Sequence, residues 1–243
     1  MKTCAAIWTI LSLLASPLLA AECRDVAFED ASFTVCDADP AKDDIRLFLK
    51  DASGDVLGTF DSVAASLAPD VLVWAMNGGM YHTDRRPVGH YVEDGEELAP
   101  LVTREGPGNF GLLPNGVLCL GDGAAAIWES RAFAKRSPAC RFATQSGPML
   151  VIDGALHPRF IEDSDSLNIR NGVGVTADGT LIAAISNRRV NFHHFARLFR
   201  DVLLTPNALF LDGTISRLYA PSLGRHDFGF PMGPMLGVVA PGD

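Results

Sequence analysis

The chain is short of positive charge: 20 Lys and Arg stand against 29 Asp and Glu, a formal net charge of −9. That balance argues against nucleic acid or an anionic membrane surface as the general partner, so a phosphate group would have to be received by a local basic site. After residue 21 no run of about 20 apolar residues occurs, which excludes a helix inserted across a membrane. None of the five cysteines forms a Cys-x-x-Cys step, so zinc accounts for them poorly. P-loop, Ser-elbow and His-Glu-x-x-His motifs are absent. Gly172-x-Gly174 lacks the third glycine of a dinucleotide fingerprint and runs into the turn signal Asp178-Gly179. With no repeat period and no low-complexity tract, a solenoid is excluded as well.

What is present begins with an export signature. Lys2, the apolar stretch Ala5 to Leu14 and the small residues Ala20-Ala21 predict a signal peptide over residues 1–21, cut before Glu22. Residues 22–243 then form the mature domain, periplasmic or secreted. Glu22 is unsuited to precede a lipid-modified Cys23, so a free protein is expected. Cys4 leaves with the signal, and Cys23, Cys36, Cys119 and Cys140 remain as an even set in an oxidising compartment, which favours disulfides. Three connectivities are possible. Closeness in sequence favours Cys23 with Cys36 and Cys119 with Cys140.

Short alternating runs such as Phe33-Thr34-Val35-Cys36 and Ile45-Arg46-Leu47-Phe48-Leu49 read as antiparallel strands. Glu93-Asp94-Gly95, Pro114-Asn115-Gly116 and Gly121-Asp122-Gly123 read as turns of hairpins between Val88 and Ile127. The spacing predicts a helix over Phe60 to Leu67. A second is predicted over Val190 to Leu204, with Phe192, Phe195, Leu198, Phe199 and Val202 on one side and Pro206 as its stop. Many strands with few helices give an α+β fold: a single domain with a mixed, largely antiparallel sheet and a few packed helices.

The stretch Asn207-Ala208-Leu209-Phe210-Leu211-Asp212-Gly213 carries the most information. It runs a strand apolar on both faces straight into a carboxylate at a glycine step. Asp-Gly is also ordinary hairpin punctuation. Three further segments repeat the pattern of an apolar strand next to polar residues and glycine: Val71 to Tyr81 with Asn77-Gly78-Gly79, Ala143 to Val151 with Ser146-Gly147-Pro148, and Ile169 to Val175 with Arg170-Asn171-Gly172. Four such blocks in this order resemble the phosphodiester glycosidase family, over roughly residues 70 to 240 and in its uncharacterised bacterial branch.

The resemblance implies hydrolysis at the anomeric carbon of a sugar 1-phosphodiester, with a carbohydrate or sugar-phosphate partner. Asp212 is the candidate nucleophile or water-activating base, two roles that geometry separates. Arg170 offers a permanently charged planar fork to phosphate oxygens, and pairing with a buried acid is its structural alternative. Asn77 can orient a hydroxyl or the attacking water. Gly78, Ser146, Gly147 and Gly213 are expected to border the substrate, with Asn109, His82 and Ser186 as further lining candidates. His90 is a possible pocket residue, and Arg85-Arg86 could bring local positive charge to Tyr81. No cofactor and no metal is expected. Relatives carry further glycines and a serine directly after Asp-Gly, whereas this chain has Thr214-Ile215-Ser216, so the resemblance carries no sugar identity. The alternative function is a non-catalytic module binding anionic glycans in the envelope.

Overall fold

The computed structural model describes residues 21–213 and 215–242; the expected signal peptide, apart from Ala21, lies outside them. The first part of the chain forms β1 (Cys23–Phe28), β2 (Ala31–Ala38), β3 (Asp44–Phe48), α1 (Phe60–Leu67) and β4 (Val71–Asn77). The middle forms β5 (Tyr91–Glu93), β6 (Glu96–Ala99), β7 (Gly116–Gly121), β8 (Ala124–Glu129), α2 (Ser130–Arg136), β9 (Phe142–Ser146), β10 (Met149–Ile152) and β11 (Ala155–Leu156). The last part forms β12 (Asn171–Val175), β13 (Leu181–Ser186), α3 (Phe192–Arg197), β14 (Asn207–Asp212), β15 (Leu218–Ala220), β16 (Arg225–His226) and β17 (Met235–Ala240).

The strands make three sheets, ordered β1-β2-β13-β12-β14-β10-β11, β16-β15-β4-β17-β3 and β6-β5-β9-β7-β8. Among the described residues every strand-to-strand pairing is antiparallel. The expected α+β domain is therefore built from three sheets around one core. Trp74, Met76, Tyr91, Leu118, Met149, Val173, Leu181, Leu209, Leu211 and Leu236 meet there from all three.

Each sheet also has a second apolar face, and a helix covers it. Phe195 and Leu198 lie on Phe33, Val35, Ile182 and Phe210; Phe60 and Val63 lie on Leu72, Ala75 and Val239; Phe133 lies on Val117 and Ala143. Period-two alternation makes this possible: on β14, Leu209 and Leu211 point to the common core while Ala208 and Phe210 point to α3. Burying a leucine or phenylalanine this way contributes about 1.5–3 kcal/mol.

The predicted helix over Phe60 to Leu67 is present, capped by Thr59 Oγ1, which accepts from Ser62 N at 3.1 Å. The second predicted helix differs. It begins at Phe192 because Asn191 caps it, accepting from His194 N at 2.8 Å, and after Arg197 it widens into a π-turn over Leu198–Val202. The wider turn keeps Leu198 and Phe199 buried but rotates Val202 outward, leaving it 39% exposed.

Asp94-Gly95 and Asp122-Gly123 are hairpin turns as expected, with positive φ at all four residues. Pro114-Asn115-Gly116 is not one. Gly116 opens β7, and Asn115 is fully buried, its amide donating to Phe110 O at 2.9 Å. Both favoured disulfides, Cys23–Cys36 and Cys119–Cys140, are formed. The first joins residues directly opposite in the β1–β2 register. No helix among the described residues is long and apolar enough to cross a membrane.

Candidate active site

β14 lies between β12 and β10, so it is paired on both edges, and Asp212 is its last residue, opposite Asn171. A register shift sets Asn171 against Asp212 and the next pair at Gly172 and Phe210, which leaves Leu211 as an extra residue. Its carbonyl is taken up from a different sheet: Ser146 Oγ on β9 donates to Leu211 O at 3.0 Å. The end of the strand is thus clamped before the carboxylate emerges.

Asp212 is half-buried and opens on a cleft of about 330 Å³ lined by Met80, Tyr81, Val88, Asn109, Asp212, Gly213 and Ile215. One oxygen, Oδ1, accepts from Gly213 N at 2.6 Å and from Ile215 N at 3.4 Å, which fixes the side chain over its own loop. Asp212 is the sole carboxylate among the described lining residues.

Arg170 lies behind this corner and is 1% exposed. Nε donates to Val190 O at 2.9 Å and one Nη2 hydrogen goes to Ser166 O at 2.8 Å. The guanidinium carbon sits 3.6 Å from the centroid of Phe192. Nη1 has no hydrogen-bond partner and is the nitrogen closest to Gly213, 3.5 Å from where a side chain there would begin. No ion pair is formed by Arg170 among the described residues. Burial without a counter-charge lowers its pKa to about 10. It stays protonated at neutral pH, a desolvated cation with one unmet donor.

Asn77 is completely buried and joins two sheets. Its amide donates to Asn171 Oδ1 at 3.2 Å, its Oδ1 accepts from Arg217 N at 3.0 Å, and its carbonyl accepts from Asn171 Nδ2 at 2.9 Å. Ser216 Oγ adds bonds to Ile169 O and Asp212 O at 3.0 and 2.9 Å, tying the loop after β14 to the same network. Ser186 Oγ accepts from Arg170 N at 2.9 Å. Gly78 allows β17 to pass close: a Cβ there would come within 2.9 Å of Leu236 N.

Of the residues singled out from sequence, Asp212, Gly213 and Asn109 therefore meet in the cleft, with Arg170 directly behind. Asn77, Gly78, Ser146, Gly147 and Ser186 lie in the framework beneath it. His82 is exposed on the loop after Tyr81, its amide donating to Arg86 O at 2.8 Å, and does not line the cleft. His90 faces away, with Nδ1 3.2 Å from Ala99 O, and burial lowers its pKa.

Two residues of the site have no role assigned by the sequence. Asn171 stood in a quoted block, but its bonds to residue 77 and toward residue 216 span segments that only the fold unites. Tyr81 closes the segment that begins at Val71, and Gly78-Gly79 just before it are the signal that marks it. Its hydroxyl is buried without a partner, and its pKa is raised, first by burial and then by the charge of Asp212, with Arg85 and Arg217 opposing.

The family model for phosphodiester glycosidases matches residues 70–230, which contain every element of this cleft. The chain belongs to the phosphodiester glycosidase family. It is 35% identical to the uncharacterized protein YigE of Escherichia coli (strain K12) over 212 residues, 86% of this chain and 83% of that one. Its fold is similar to that of the catalytic domain of zebrafish N-acetylglucosamine-1-phosphodiester alpha-N-acetylglucosaminidase, solved auto-inhibited by its pro-peptide. The TM-score is 0.64 at 14% identity, covering 93% of this chain and 85% of that one. A hypothetical protein from Synechocystis aligns with a TM-score of 0.58 at 14% identity, over 90% of this chain and 62% of that one.

Proposed function

We propose that this family member is an exported hydrolase that cleaves the anomeric bond of a sugar 1-phosphodiester in envelope or extracellular glycans. One observation carries the reading: a half-buried carboxylate on a doubly paired strand opens on a cleft, and an unpaired buried guanidinium nitrogen stands behind the same glycine step. Water or Asp212 attacks the anomeric carbon as the bond from that carbon to the phosphate oxygen breaks, and the phosphate leaves with the bonding electrons. Where water attacks, its proton passes to Asp212 and then to solvent; where Asp212 attacks, water then breaks the glycosyl–Asp212 bond, releasing the sugar and a proton and restoring the carboxylate. A phosphate monoester is already a stable leaving group and needs little protonation. A cleft with a single carboxylate among its described lining residues suits such a substrate better than an ordinary glycoside, which calls for a carboxylate pair.

Arg170 contributes a fixed positive potential at the Asp212–Gly213 corner, strengthened by its dry surroundings. The two disulfides support an oxidising compartment. The test is incubation of the purified protein with a panel of sugar 1-phosphodiesters, with release of reducing sugar as the readout. Turnover undiminished in both Asp212→Asn and Arg170→Ala would remove the assignment even with an active wild type.

A further inference from the structure

We propose that the anionic group of the ligand is received on the Tyr81 side of the cleft, in a subsite formed by the Tyr81 hydroxyl and the guanidinium group of Arg85. The inference rests on the phosphodiester reading for the identity of the anion, and it places that anion by Tyr81, which lines the cleft, and away from Arg170, which does not.

Tyr81 is the cleft residue with an unmet need. Its ring is held in place: Gly233 packs so closely that a Cβ there would fall 2.5 Å from Tyr81 Cγ. The short ladder Tyr81–Pro87, continued by Val88 N donating to Met80 O at 3.0 Å, fixes the backbone. Yet the hydroxyl of this cleft-lining residue is buried and bonds to nothing within the protein. A buried hydroxyl left this way costs about 1–3 kcal/mol, so a ligand oxygen that accepts from it removes a standing penalty.

The charges around the phenol give the sign of that ligand. Arg85 lies 5.4 Å from the ring centroid, and its Nη1 is engaged only with Thr83 O at 3.3 Å. Arg217 donates through Nη1 to Phe230 O at 2.6 Å. Neither forms an ion pair among the described residues, in a protein that is acidic throughout. Both act on the phenol against the pull of Asp212. Tyr81 and Asp212 thus line the same cleft, and the Arg85 guanidinium lies by the phenol ring without a counter-charge among the described residues. A substrate whose neutral sugar faces Asp212 and whose phosphate faces Tyr81 and Arg85 matches that arrangement. Arg85 also has φ = 72°, a left-handed conformation in which glycine is the ordinary residue.

The probe is methyl phosphate, titrated calorimetrically onto the wild type, Tyr81→Phe, Arg85→Ala and Arg86→Ala, with the ligand-free melting temperature of each. Arg86 is on the same turn but pairs with Asp84, so its loss removes equal charge without touching the phenol. Tyr81→Phe and Arg85→Ala are each expected to weaken methyl phosphate about tenfold, Arg86→Ala less than twofold. Tyr81→Phe is expected to melt no lower than the wild type, because the hydroxyl it removes bonds to nothing. Equal affinity of Tyr81→Phe and wild type, or no saturable binding to the wild type, overturns the subsite. Turnover of sugar 1-phosphodiesters is scored separately: if it is present while phosphate affinity ignores Tyr81, the subsite alone falls. Tyr81-dependent binding without turnover of any such diester removes the hydrolase reading and leaves the subsite standing.

Discussion

Asp-Gly occurs five times in this chain, and the dipeptide does two different jobs. At residues 94–95, 122–123, 153–154 and 178–179 it turns a hairpin, and each of these glycines has φ between 70° and 94°. Gly95, Gly154 and Gly179 look out on open space. At 212–213 it ends a strand paired on both edges, Gly213 does not take the left-handed conformation, and a side chain there would meet Phe210 at 3.0 Å and Arg170 at 3.5 Å. The same two residues serve conformation in one setting and, in the proposed reaction, chemistry in the other. What separates the settings is whether the strand continues to a sequence neighbour or lies between distant ones.

The comparison can be broken most directly at the acids. Asp212→Asn is expected to lower release of reducing sugar by about 10³-fold with little change in melting temperature, while Asp178→Asn leaves turnover as it was. Equal rates in both would erase the distinction. Next come the glycines. Gly213→Ala and Gly95→Ala should each cost about 1–2 kcal/mol in chemical denaturation, the first through crowding and the second through a disfavoured φ. Only Gly213→Ala should also reduce kcat/KM, by about tenfold, because it displaces the Arg170 nitrogen behind Asp212.

Ser146→Ala tests the clamp beneath the strand. Loss of its bond to Leu211 O should cost about 1 kcal/mol, with turnover falling by less than tenfold. A collapse of turnover there would reinstate Ser146 as a substrate-contacting group.

The smallest effect is in acid. The pKa of the exposed Asp178 carboxylate is lowered, chiefly by the Thr176 hydroxyl and then by the Thr180 amide. A carboxylate whose folded pKa lies below its unfolded value stabilises the turn above the unfolded pKa, near 4, and that support is lost as pH falls through the folded value. Amide-exchange protection at Thr180 should therefore drop on acidification below about pH 4, and Asp178→Asn should remove the pH dependence.

Much of the scaffold was legible because it is local. Residues 60–67 announce their helix through spacing and a following proline, both hairpin turns at 94 and 122 carry their glycines, and the cysteine pairs are near in sequence. The π-turn after Arg197 was not legible, since Val202 fits the apolar stripe of a regular helix and is turned outward by a change of pitch. In the site, Asp212 and Gly213 stood out as an acid after an apolar strand. The enclosure of Arg170 did not, because the aromatic wall around it comes from residues 192 and 210. Tyr81 stood out only as a neighbour of Arg85-Arg86, for a related reason: a lone phenol carries no pattern until its neighbours are known to leave it unsatisfied.

The extra residue at Leu211 has a consequence for how this enzyme family can change. Side chains on β14 alternate between the common core and α3, so the direction of the terminal carboxylate is a matter of odd and even counting from Ala208. Inserting or deleting one residue upstream would reverse that parity and aim the acid into the opposite face, whereas a change of two would preserve it. Length variation along this strand should therefore come in pairs, or be absorbed at the bulge that Ser146 already holds open.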